Sequence, residues 1–123
     1  MSKNILHIDD EQPIRAIVAD VLAIHGYRMR SVATLEEALA AVRAEAPDLI
    51  ISDLQLQAAD GLEIIAQLHA IKQWTPVIVL TGVLMDPKVV RETVGALVSA
   101  YIEKTGPLSA VVAEVQRLIG PAD

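Results

Sequence analysis

The stretch "ILHIDDEQP", residues 5–13, joins two patterns that sit badly together. Its first half is apolar and, with Asn4, reads as a short buried strand. Its second half sets Asp9, Asp10 and Glu11 side by side, just ahead of Pro13, a residue suited to the first turn of a helix. Like charges crowded at a strand end repel, and beside an apolar core they are poorly solvated. The junction therefore predicts a strand running into a helix with a cation close by. Without that cation the acidic cluster is predicted to be under strain.

The same strand-to-helix alternation continues outward from this point. Ile14, Ile17, Val18, Val21 and Leu22 recur at the spacing of one helical face, and Gly26 marks the stop. "YRMRSV", residues 27–32, alternates like a strand near a sheet edge. Thr34 and Glu37 carry a capping-box signature ahead of Leu35, Ala38, Leu39 and Val42, with Pro47 beyond the end. "DLIIS", residues 48–52, is a third strand, and the loop "LQLQAAD" follows at residues 54–60. Beyond Gly61, Leu62, Ile65, Leu68 and Ile71 mark a third helix. Pro76 introduces "VIVL", residues 77–80, a fourth strand ending at Thr81. Residues 86–97 read as a fourth helix and "SAYIE", residues 99–103, as a fifth strand. Residues 107–119 read as the last helix, with Leu108, Val111, Val112, Val115, Leu118 and Ile119 facing inward.

Five β–α units of this kind predict an α/β fold: a doubly wound five-stranded parallel sheet with helices on both faces. The common flavodoxin-like strand order, 2-1-3-4-5, is the expectation. The 123 residues are expected to form one domain, with a core at about residues 4–119.

Composition narrows the function. Sixteen acidic against ten basic residues give a net charge of −6, which argues against nucleic acid as a direct partner. Cys is absent, which excludes disulfides, thiolate metal sites and cysteine nucleophiles. No apolar run approaches the ~20 residues of a membrane span. The N-terminus runs straight into acids, unlike a signal peptide. A soluble cytoplasmic protein is the expectation.

In open α/β sheets, sites form at the carboxyl ends of the strands. Those ends carry Asp9 and Asp10, then Asp53, then Thr81 followed by Gly82, then Lys104. In the order 2-1-3-4-5 the four strands concerned lie side by side, so these groups converge. Three aspartates together call for a divalent cation, and oxygen ligands without His or Cys point to Mg²⁺ rather than Zn²⁺. Lys104 adds a second positive charge, Thr81 a hydroxyl donor, and Gly82 leaves space beside it. Such a set can stabilise a transferring phosphoryl group, with a carboxylate as the plausible nucleophile.

With these residues in place, the chain resembles the receiver (REC, CheY-like) domain of bacterial response regulators, over essentially its whole length. The resemblance rests on "IDDE" after the first strand, "SDLQLQAADG" around Asp53, "LTG" at the fourth strand and "YIEK" at the fifth. It implies that Asp53 is the phosphoacceptor. Asp10 and Asp53 would be direct Mg²⁺ ligands, with the backbone carbonyl of Gln55 as third protein oxygen, and Asp9 would hold the metal's waters. Lys104 would pair first with the carboxylate and then with the phosphoryl group. Thr81 would be the switch hydroxyl, and Tyr101 the aromatic that turns inward with it. The resemblance further implies a signalling phosphoacceptor of a two-component system or phosphorelay, not an enzyme beyond its own phosphotransfer and slow hydrolysis. Its implied partners are a sensor histidine kinase or histidine phosphotransfer protein. A downstream protein target or a homodimer would use the face of the fourth helix, fifth strand and fifth helix.

Some positions depart from the family pattern. Gln57 and Thr105 stand where Pro is common, and Gly95-Ala96 lies farther from Tyr101 than usual. Gln55 and Val83 occupy positions that tune dephosphorylation in the family. The alternative reading is a non-phosphorylated pseudo-receiver that docks onto proteins. A phosphatase using an aspartyl-phosphate fits poorly, because Gln55 stands where a second acid is expected. His7, His25 and His69 read as structural residues, and Val89, Val90, Val94 and Leu97 as core packing. Glu11 either contacts the metal's outer shell or favours the positive end of the first helix. The chain could be a stand-alone regulator or one domain of a longer protein.

Overall fold

All five residues of β1 (Asn4–Ile8) are buried, as expected for a strand with helices over both faces. The computed structural model describes residues 2–53, 55–56, 59–60, 66–67, 70, 75–82, 88 and 98–122. After β1 come α1 (Gln12–Ile24), β2 (Arg28–Val32), α2 (Leu35–Ala44) and β3 (Leu49–Ser52). Then follow β4 (Val77–Thr81), β5 (Ala100–Glu103) and α3 (Leu108–Ile119). Of the expected third helix only Ala66, Gln67 and Ala70 are described, and of the fourth only Lys88; all four are helical. His69, Gln57, Val83, Gly95, Ala96, Val89, Val90, Val94 and Leu97 lie outside the described residues.

The five strands form one parallel sheet in the order β2-β1-β3-β4-β5, as the β–α alternation predicts. Residues 54–60, expected as loop, contain a small antiparallel ribbon pairing Gln55–Leu56 with Ala59–Asp60. Two residues a side are too few for an alternation to register in the sequence.

Local chemistry places the helix ends. Glu11 is the extended N-cap of α1, and Pro13 occupies its first turn. Gly26, at φ +92°, carries the chain round from α1 into β2, and Gly120, at φ +73°, ends α3; both angles favour a residue without a Cβ. The capping box of α2 is present: Thr34 Oγ1 accepts from Glu37 N at 3.2 Å. The Glu37 carboxylate accepts from the backbone N–H of Ala33, one residue before the cap, at 3.2 Å.

The two faces of the sheet bury separate cores. On one, Ile5, Ile51, Ile78, Leu80 and Ile102 pack with Val18 and Leu22 of α1 and Val111, Val112 and Val115 of α3. On the other, Leu6, Ile8, Ile50, Val77 and Val79 pack with Ala38 and Val42 of α2. Two inward assignments need correction: Ile17 is 46% exposed and Leu108 38%. The buried stripe of α1 is a narrow one centred on Val18 and Leu22, with Ile17 at its margin. Leu108 sits in the first turn of α3, above the carboxyl edge of the sheet, where the core has ended.

Candidate functional site

Main-chain bonds extend the strands just far enough to set the polar groups beside one another. Asp9 N donates to Val32 O at 3.1 Å, Asp53 N to Ile8 O at 3.0 Å, and Lys104 N to Thr81 O at 2.8 Å. Asp9, Asp53 and Thr81 are buried and Asp10 is half-buried. Asp9, Asp10 and Asp53 each offer a carboxylate oxygen, all within 4.8 Å of one another. An all-oxygen set of this size suits a hard cation such as Mg²⁺. Two of these carboxylates, Asp9 and Asp53, already hold a positive charge, the Lys104 ammonium. Lys104 Nζ lies 2.8 Å from Asp9 Oδ2, 2.9 Å from Asp53 Oδ2 and 2.6 Å from Glu11 Oε2.

This ammonium changes the expectation of a strained acidic cluster, since the chain supplies its own counter-charge. Burial works against the charged form of Lys104, but the carboxylates of Asp9, Glu11 and Asp53 around its ammonium outweigh it and hold the pKa above the ordinary lysine range. Asp9 shows the opposite balance. Burial raises its pKa, Lys104 and the Glu11 N–H oppose, and the neighbouring Asp53 charge adds to the rise. Glu11 thus has a third role that the sequence leaves open, as an exposed clamp on Lys104. Arg15, one turn into α1, donates to the Asp9 main-chain carbonyl at 2.6 Å.

Tyr101 lies opposite Val79 in the β4–β5 register and packs, half-buried, against the cluster of Leu6, Ile8, Val77 and Val79. The Lys104–Thr105 peptide is trans. Gly106 N donates to Glu103 O at 3.0 Å, closing the turn into α3. Gln55 lies in the short ribbon just past Asp53, its main chain in register with Asp60.

His7 is not an isolated strand residue. It is fully buried, and its Nε2 lies 3.9 Å from Asp9 Oδ2. The signal was present in β1: in a strand, residues 5, 7 and 9 share one face. Burial first, then the charges of Lys104 and Arg15, push the His7 pKa down to about 4. The unfolded chain takes up a proton near 6.5 and the native state does not until about 4. The contribution of His7 to stability is therefore complete above the unfolded value and lost as pH falls toward the folded one. Wild type should lose about 3 kcal/mol across that window relative to His7→Leu, at 1.36 kcal/mol per pKa unit. Urea titrations of both proteins over the window measure it. Parallel pH profiles would contradict the expectation.

The doubly wound sheet gathers three aspartates, a threonine and a lysine at its carboxyl edge, a set that can hold a cation and an anion together. The chain belongs to the response regulator receiver domain family, which it matches over residues 5–116; these are the receiving modules of two-component signalling. It is 38% identical over 82 residues to the alkaline phosphatase synthesis transcriptional regulatory protein PhoP of Bacillus subtilis, a match covering 67% of this chain and 34% of that protein. Matches of this kind span about a third of the length of the first curated relatives. Among solved structures, chemotaxis protein CheY4 of Vibrio cholerae superposes with a TM-score of 0.86 at 25% identity, covering 96% of this chain and 99% of that one. Response regulator TrrA of Thermotoga maritima, solved in complex with Mg²⁺ and beryllofluoride, gives 0.82 at 26% identity, covering 94% and 98%. Among the described residues, no helix is long and apolar enough to cross a membrane.

Proposed function

We propose that the chain accepts a phosphoryl group onto Asp53 from the phosphohistidine of a sensor histidine kinase or a histidine phosphotransfer protein. The observation that carries the reading is Asp53, buried at a strand end, held by Lys104 at 2.9 Å and flanked by two further aspartates. A carboxylate oxygen of Asp53 attacks phosphorus as the P–N bond of the donor breaks, and the donor imidazole leaves with the electron pair. Lys104, already within reach, moves its charge from the carboxylate to the phosphoryl oxygens. The Thr81 hydroxyl, at the neighbouring strand end, donates to the same group. Its movement opens room that Tyr101 fills, and the surface around β5 and α3 changes with it.

Asp10, Asp53 and the Gln55 carbonyl would hold Mg²⁺, with Asp9 ordering its waters. Bound there, the ion would offset the negative charge of the carboxylates and of the incoming phosphoryl oxygens. Hydrolysis of the resulting acyl phosphate at the same site returns the chain to its resting state. A downstream protein or a second copy of the chain would read the altered face. The whole chain acts in this reading as one cytoplasmic receiver domain, stand-alone or within a longer protein.

Incubation with acetyl phosphate and Mg²⁺, followed by intact-mass measurement, should show one phosphoryl adduct per chain. Fragmentation should place it on Asp53. A wild-type chain modified neither by a small donor nor by a phosphorylated kinase would sink the proposal and leave the docking-module reading.

A further inference from the structure

His7 interrupts an otherwise apolar run of β1, and neither of its ring nitrogens has a hydrogen-bond partner among the described residues. Buried polar groups are paired in native proteins, so such a group calls for a partner in some state of the molecule. The nearest ionisable one is Asp9. Its Oδ1 is tied down by the Glu11 N–H at 2.9 Å. Its Oδ2 is buried, ion-paired to Lys104 at 2.8 Å but without an aligned hydrogen bond. A buried imidazole nitrogen and a buried carboxylate oxygen, neither with an aligned hydrogen bond, thus stand 3.9 Å apart at the end of β1. Rotation of the Asp9 carboxylate about its fixed Oδ1 by ~1 Å would bring Oδ2 within hydrogen-bonding distance.

We propose that His7 is a positioning residue for Asp9: its uncharged imidazole donates Nε2–H to Asp9 Oδ2 when Lys104 turns to the phosphoryl group or gives way to a metal ion. The inference rests on the phosphoacceptor reading. In that reading Lys104 moves its charge to the phosphoryl oxygens, which takes it away from Asp9. Asp9 would then be a buried carboxylate held at one oxygen only. The imidazole supplies the second hold without adding a charge, and the proton stays on Nε2 throughout. Second hydrogen bonds of this kind orient the groups around a metal and raise its affinity. An apolar residue in place of His7 would leave Asp9 free to swing.

The test uses the full chain labelled with ¹⁵N. In the wild type the His7 ring should be the Nε2–H tautomer. Its Nε2–H resonance should move downfield and exchange more slowly on addition of Mg²⁺ and beryllofluoride. In titrations with Mg²⁺ alone, His7→Leu should bind about tenfold more weakly, and His7→Gln, which keeps a donor, should recover part of that loss. An unmoved Nε2–H resonance overturns the proposal, whether His7→Leu binds Mg²⁺ like the wild type or loses affinity that His7→Gln does not restore. Asp10→Asn distinguishes a misassigned metal site from a misassigned role of His7. If that variant binds Mg²⁺ as the wild type does, the metal site itself is misassigned. If it abolishes binding while the wild-type His7 proton stays still on addition of Mg²⁺ and beryllofluoride, only the role of His7 falls.

Discussion

Asp53→Asn will carry no phosphoryl group under conditions in which the unaltered chain carries one. An amide oxygen is a poor nucleophile. Loss of a nucleophile typically costs a thousandfold or more in rate, so the adduct should fall at least ~10³-fold. The fold should survive. Asn fills the same volume, and the main-chain bond from residue 53 to Ile8 O does not involve the side chain. Lys104 keeps Asp9 and Glu11 as partners, and the removed charge relieves part of the repulsion among the aspartates. The stability change is expected to stay within ~1 kcal/mol. Intact mass after acetyl phosphate treatment, alongside urea denaturation, measures both quantities. An undiminished adduct on Asp53→Asn would mean that another residue accepts the phosphoryl group.

Lys104→Met acts on stability as well as on transfer. Methionine matches the length of the lysine stem but leaves Asp9 and Asp53 buried without their cation. Breaking a buried pair by removing one partner costs about 3 kcal/mol or more at neutral pH. Glu11 adds little to that figure, because its carboxylate is 57% exposed and screened by water. The sign of the pH dependence follows from the direction of the Asp9 shift. Its pKa is already raised by burial, and losing Lys104 raises it further. A carboxyl with a raised folded pKa loses stability as pH rises through that value. The deficit against wild type should therefore be small in mild acid and largest at neutrality, and Mg²⁺ should restore part of it. Urea midpoints at both pH values, with and without Mg²⁺, test the set. A deficit that does not change with pH would show that Lys104 acts through packing alone. Wild type itself should lose the Lys104 contribution only above the ordinary lysine range, ~10.4, since its pKa is raised in the fold.

Much of the fold was legible because it rests on local chemistry. Pro13, the Thr34–Glu37 box and Gly26 each act within one turn of chain, and each does in the structure what its chemistry predicts. The apolar strands were legible too, since a parallel sheet covered on both faces needs continuous apolar runs. Ile17 and Leu108 were misjudged because periodicity gives the direction of a face and not its width. How far a helix face is covered depends on the elements packed against it. The ribbon at residues 55–60 was missed for a different reason: two paired residues carry no period.

The candidate site divides along the same line. The sequence by itself determined which chemical groups stand at the strand ends: Asp9, Asp10, Asp53, Thr81 and Lys104 each follow an apolar run directly. Their convergence follows from strand order, which the alternation of strands and helices constrains. Tertiary structure alone decided how the charges pair. Lys104 meets Glu11 across 93 residues of sequence, and no spacing rule spans that distance. The burial that unpairs His7 and raises the Asp9 pKa exists only once α1 and α3 close over the sheet. A residue's identity sets what it can donate, accept or carry as charge. Which of these it does depends on the dielectric and the partners around it, and those are properties of the packed chain.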